Sequence, residues 1–89
     1  MLIDSHCHID RVDTAPFGGS VQGVIEHAQS LGVEHMICVC IDMENYPAVQ
    51  KIAEDFDCVS CSVGVHPVED VETEPTFERL VEAAKHPKV

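Results

Sequence analysis

Met36-Ile37-Cys38-Val39-Cys40-Ile41 is six apolar residues in succession, held between His35 and Asp42. The run is short, rich in β-branched residues and bounded by polar positions. That combination predicts a strand buried on both faces, as in a parallel sheet. What lies on either side fits the same frame. Ser20 is a candidate N-cap ahead of Val21, Val24, Ile25, Ala28 and Leu31, which fall along one helical face. Gly32 sits where a C-cap glycine belongs. After the run, Asn45 and Pro47 mark a second helix start, and Tyr46, Val49, Ile52, Ala53 and Phe56 make its stripe.

The unit recurs. Met1–Ile3 is a short apolar run preceding the first helix. Cys58–Val65 is a further strand, ending at Gly64 and His66-Pro67. An acidic loop, Glu69 to Glu74, follows, and Pro75 opens a third helix with Phe77, Leu80, Val81 and Ala84 facing inward. His86-Pro87 ends that helix, and Lys88-Val89 reads as the approach to a fourth strand. The expected fold is α/β: a parallel βαβαβα segment with right-handed crossovers, open at its edges. Ile37, Val39, Ile41, Val59, Cys61 and Val63 are the expected sheet core.

The chain has 89 residues and 45% hydrophobic content, enough for one small ordered domain covering residues 1–89. Sixteen acidic residues against five basic ones give a net charge of −11. That balance excludes a basic nucleic-acid module and opposes binding to an anionic membrane. No stretch approaches the length of a membrane span, and no leader sequence is visible, so a cytoplasmic protein with no membrane partner is expected. Five cysteines, an odd number spread through apolar runs, read as reduced thiols packed in the core. Cys38-x-Cys40 and Cys58-x-x-Cys61 superficially suggest a four-cysteine zinc site. Strand geometry opposes it, because residues three apart in a strand point to opposite faces.

Ligands of parallel α/β sheets bind beyond the carboxyl ends of the strands. That rule singles out His6 and His8, the stretch Asp42–Glu44, and His66. In extended chain, His6 and His8 project to one face and can offer two imidazoles to one metal ion. Asp4 lies on the same side and could orient an imidazole. His66 would point into the same crevice, where it could bind an anion or move a proton. His27, His35 and His86 carry no comparable pattern.

Met1-Leu2-Ile3-Asp4-Ser5-His6-Cys7-His8-Ile9-Asp10 resembles the opening of the TatD-type metal-dependent hydrolases, the TatD-related deoxyribonucleases. Ser62-Val63-Gly64-Val65-His66-Pro67 is similar to that family's Gly-x-His-Pro segment. The resemblance implies the first third of a TIM-type (β/α)8 barrel of the amidohydrolase kind, and so an N-terminal portion of a longer enzyme. It implies divalent metal ions (zinc, manganese or magnesium) with His6 and His8 as the first two ligands. It places His66 near the active site and makes Asp10 a motif residue, so that Asp4 or Asp10 would orient the ligands. DNA is the implied substrate of the full-length parent, cleaved at its phosphodiester bonds. The family's other ligands, a glutamate, two histidines and an aspartate, come from later strands, so no residue here is assigned a catalytic role and the isolated chain is expected to be inactive. Two alternatives stand beside this reading: a non-catalytic metal-binding module, and a module that self-associates through its open sheet edges.

Overall fold

The computed structural model describes residues 1–67 and 74–89. Three strands, β1 (Leu2–Cys7), β2 (Val33–Cys38) and β3 (Val59–Cys61), alternate with three helices, α1 (Val21–Ser30), α2 (Tyr46–Asp55) and α3 (Phe77–Ala84). Two 3₁₀ turns, Ile9–Arg11 and Ala15–Phe17, lie between β1 and α1. The strands pair in parallel, in the order β1-β2-β3. The βαβαβα reading of the sequence is therefore the observed architecture: an open parallel sheet, as at the start of a TIM-type barrel.

The local signals for the helices work as expected. Ser20 Oγ accepts a hydrogen bond from Gly23 N–H at 3.1 Å, which caps α1. Gly32, at φ +94°, turns the chain out of α1 in a conformation that other residues adopt at a cost. Thr76 Oγ1 accepts from Arg79 N–H at 3.1 Å and caps α3. Asn45 precedes α2, but its side chain is spent elsewhere.

The core lies on one side of the sheet only. Met36, Cys38 and Cys40 of the β2 run are at most 3% exposed, as are Val59 and Cys61. They pack with Ile25 of α1 and with Tyr46, Val49 and Ala53 of α2, and Leu80 and Ala83 of α3 close against the same cluster. The alternate residues Ile37 and Val39 are half-buried and lie outside the core cluster, which corrects their assignment to it, whereas Val63, also half-buried, packs against that cluster. All three helices cover one face, and among the described residues nothing layers the other. On that open face His35 Nε2 and Ser60 Oγ lie 2.8 Å apart, a hydrogen bond between β2 and β3.

Other expectations are corrected at the ends of elements. β2 runs over Val33–Cys38 instead of Met36–Ile41, because the backbone donor of Cys40 is taken by Ser62 Oγ at 3.0 Å and leaves the ladder. β3 is three residues long instead of eight, and Gly64, at φ +148°, leaves extended geometry. Leu31 is 67% exposed, since α1 ends at Ser30. Phe77 is 76% exposed and Val81 40%, because α3 turns Leu80 and Ala83 to the core instead. That orientation is fixed by Tyr46 Oη, which donates to the Ala83 carbonyl at 3.3 Å. Of the acidic run, Glu69, Asp70 and Glu72 lie outside the described residues, and Glu74 is exposed.

In a parallel strand, successive residues bond to opposite neighbours. Ser62 N–H bonds back to Cys38 O at 3.2 Å, whereas Cys61 N–H bonds outward to Lys88 O at 2.8 Å. Lys88, in the turn that follows α3, thus lies against the far edge of β3.

The one-sided core sets a stability contrast. Ile25, 2% exposed, should lose about 2–5 kcal/mol on substitution by alanine, from lost transfer energy and the cavity left behind. Leu31→Ala, on the same helical stripe but largely exposed, should change stability by no more than about 0.5 kcal/mol. Urea midpoints of the two variants measure the difference, and equal midpoints would contradict the one-sided core.

Candidate metal centre

β1 does not pair evenly with β2. Asp4 lies opposite Met36 and Cys7 opposite Cys38, so β1 spends one more residue than its partner between those rungs. This bulge falls at Ser5 and His6, where such features re-aim side chains. The Asp4 carboxylate stabilises it, since Oδ1 accepts from His6 N–H at 3.1 Å. Asp4 therefore holds the backbone that carries the first histidine.

Beyond the bulge the chain is pinned on its other side. Cys7 O accepts from Val39 N–H at 2.8 Å, and the Cys7 thiol donates to Ile37 O at 3.3 Å. Cys7 packs against the helix-side core, and the flanking histidines are left together. The rings of His6 and His8 meet edge to face, with centroids 5.2 Å apart and planes at 79°. His66 arrives from the segment after β3, fixed by a 2.6 Å bond from its backbone N–H to Ile41 O. Its ring lies 6.5 Å from that of His8, at 64°. Three imidazoles from two strand ends thus converge where the crevice rule places a ligand.

Asp10 follows two residues after His8, its side chain 3% exposed. Its Oδ2 accepts from Asn45 Nδ2 at 2.6 Å, and Oδ1 accepts from the Cys38 thiol at 3.5 Å. Asp42 Oδ1 accepts from Asn45 N–H at 2.7 Å, and Glu44 is exposed. The sequence marks Asn45 as a helix start and Cys38 as core. Their bonds to Asp10 span 35 and 28 residues, beyond the reach of any local pattern.

The residues fit a divalent ion in part. Nδ1 of His8 is buried with no hydrogen-bond partner, and a buried polar nitrogen left so is costly unless something satisfies it. Neutral imidazole is a good ligand for zinc, manganese and similar ions. His6 and His8 would hold the ion, with His66 alongside. Among the described residues no three His, Cys, Asp or Glu side chains are grouped to enclose an ion, so further ligands must come from outside them.

The cysteines are no rival centre. All five are free thiols. Burial pushes Cys7 up to about 11 and Cys38 up to about 12, and it raises Cys40 and Cys61 as well. Thiols held protonated in this way make poor metal ligands and poor nucleophiles. Among the described residues, no helix is long and apolar enough to cross a membrane.

The sequence model of the TatD-related DNase family matches residues 3–89, nearly the whole chain. The chain belongs to the TatD-related DNase family. Among curated proteins it is similar to YjjV of Escherichia coli (strain K12), an uncharacterized metal-dependent hydrolase. The two are 32% identical over 66 residues, covering 74% of this chain and 24% of YjjV. YcfH of the same strain, also an uncharacterized metal-dependent hydrolase, is 31% identical over 67 residues, covering 75% of this chain and 25% of YcfH. TatD of Mycobacterium tuberculosis, named in the same way, is 29% identical over 89 residues, covering 99% of this chain and 33% of that protein. This TatD-family chain thus spans a quarter to a third of the length of the curated relatives it matches.

Proposed function

We propose that this chain supplies the first metal ligands of a metal-dependent hydrolase that cleaves DNA phosphodiester bonds. The observation that carries the reading is the convergence of His6, His8 and His66 at the carboxyl ends of the strands, with His8 Nδ1 buried and unpartnered. The family description, which names a DNase, and the relatives' description as metal-dependent hydrolases support it. A divalent ion held there would supply Lewis acidity toward a phosphoryl oxygen and an activated water nucleophile. The chain's own part is to present two imidazoles side by side, with Asp4 holding the bulge and Cys7 anchored behind it. His66, whose ring lies beside that of His8, is the candidate to contact a substrate phosphate. A surface of net charge −11 disfavours tight non-specific duplex binding, so short or frayed DNA suits this site better than long duplex.

Metal titration tests the site. Cobalt(II) should bind weakly, because two or three imidazoles fall short of a full shell. His6→Ala/His8→Ala should abolish the visible absorbance of the bound ion. Unchanged binding by that double variant would move the site elsewhere. Cleavage of single-stranded DNA by a chain extended to the relatives' length tests the reaction.

One observation favours a second property. Met1, just before β1, and Leu2 and Ile3 within it are 89%, 59% and 59% exposed, and β1 is an edge strand among the described residues. Open edges pair with other chains. Self-association through β1 would be opposed by like charge, so it should strengthen as added salt screens the repulsion. Sedimentation that is independent of both concentration and salt would exclude it.

A further inference from the structure

The Asp10 carboxylate is almost wholly buried, and its bonds run to two other elements. Asn45 at the head of α2 holds Oδ2 at 2.6 Å, and Cys38 at the end of β2 reaches Oδ1 at 3.5 Å. Arg11 Nε stands 3.7 Å from Oδ2 at the rim. A buried carboxylate is costly to keep, and that cost is offset only where its donors are rigidly placed. Here they are. Asn45 is itself fixed by its own N–H on Asp42, and Cys38 is in the ladder with both neighbouring strands.

Asp10 is joined as firmly to the histidines. It is the middle residue of the 3₁₀ turn Ile9–Arg11, whose N-cap is His8. Arg11 N–H donates to His8 O at 2.9 Å, and Ile9 between them is 3% exposed in the core. Any displacement of the carboxylate is passed to the backbone of His8. The bulge at Ser5 and His6 leaves β1 without an even ladder just there, so this turn is the anchor on the other side of the pair.

We propose that Asp10 is a positioning residue, whose bonds to Asn45 and Cys38 tie the His6–His8 pair to the end of β2 and the head of α2. It acts through the turn and makes no contact of its own with a metal ion or substrate. The proposal rests on His6 and His8 being ligands only for its consequence on metal binding. Its structural half can be read without metal.

The test uses the full chain and the reciprocal swap of one donor and one acceptor. In Asp10→Asn the new amide faces the amide of Asn45. In Asn45→Asp two carboxylates face each other. In the double variant Asp10→Asn/Asn45→Asp the pair is restored in reverse, and the amide introduced at position 10 keeps an oxygen for the Cys38 thiol. Two readouts are taken on samples shown by circular dichroism to be folded: imidazole NMR of the metal-free protein, and cobalt(II) affinity. Each single variant should shift the His8 ring resonances and weaken cobalt about tenfold or more, the scale on which outer partners act. The double variant should restore both. Singles with wild-type rings and affinity would overturn the proposal, as would a double variant no better than its parents. If wild type binds no cobalt while the rings move and are rescued, the metal reading fails and the positioning role stands. If Asp10→Asn does not fold, Asn45→Ala breaks the same bond from the other side, and unmoved His8 resonances there count against the proposal.

Discussion

The 89-residue chain, incubated with single-stranded DNA and manganese, magnesium or zinc in turn, should release no product above a metal-only control. A chain extended to the length of the relatives should cleave the same substrate in a chelator-sensitive way. The difference comes from ligand count and rigidity. Metal-assisted phosphodiester hydrolysis by two ions needs both held about 3.5–4 Å apart. Here one imidazole pair stands at the end of β1 with a third ring 6.5 Å away, and no grouping of three ligating side chains is found among the described residues. The Asp4 carboxylate is committed to the His6 backbone, and those of Asp10 and Asp42 to Asn45. Positioning errors of about 1 Å already cost on the order of 100-fold in rate. Cleavage by the short chain that His6→Ala abolishes would show that this third of the relatives' length suffices. Absence of cleavage by both chains would remove DNA from the reading and leave a metal-binding module.

Alkaline pH should strongly destabilise this protein, because buried thiols resist ionisation. Cys38 is fully buried and its thiol is pushed up to about 12, against 9.0 for an ordinary cysteine. Burial is the main cause, because a thiolate there would lose its solvation. The unfolded chain gives up this proton near pH 9 and the folded chain does not. Between those values the native state binds more protons, so stability present below pH 9 is lost as pH rises. One such group costs about 1.4 kcal/mol for each pH unit, or about 3 kcal/mol between about pH 9 and 11. Cys7, raised to about 11 at a half-buried position, adds a smaller share of the same sign, and Cys40 and Cys61 act alike. Small domains hold only about 5–15 kcal/mol in all, so the effect is large. Urea midpoints from about pH 8 to 11 measure it. A flat profile, or iodoacetamide labelling of native Cys38 at the rate of a free thiol, would show the sulfur to be solvated after all.

What the sequence told about this fold is unequal along the chain, and the inequality has causes. Ser20, Gly32 and Pro47 are local signals, and the helices they punctuate are where the sequence puts them. The parallel order was legible too, from apolar runs alternating with helical stripes. The face of β2 was not. Met36, Cys38 and Cys40 are as apolar as Ile37 and Val39, so nothing in the run says that only one side meets helices. Phe77 misled for the same reason: a large apolar residue at helical spacing carries no record of how its helix is rotated. At the site, spacing was enough to bring His6 to His8, and the crevice rule brought His66 to them. The bulge at Ser5 and His6, and the bonds from Asp10 to Asn45 and Cys38, depend on contacts that no local pattern encodes.

The strand order β1-β2-β3 also says something about assembly in time. Each strand docks beside the one made just before it, so no step has to close more than one helical crossover. During synthesis the sheet can therefore grow from one flank alone, while the β1 flank, with Leu2 and Ile3 bare, has no neighbouring strand among the described residues. A nascent chain in that condition is an invitation to aggregate. Its protection is the excess of acid spread over both halves of the sequence, which keeps two such half-built copies apart while either is still incomplete.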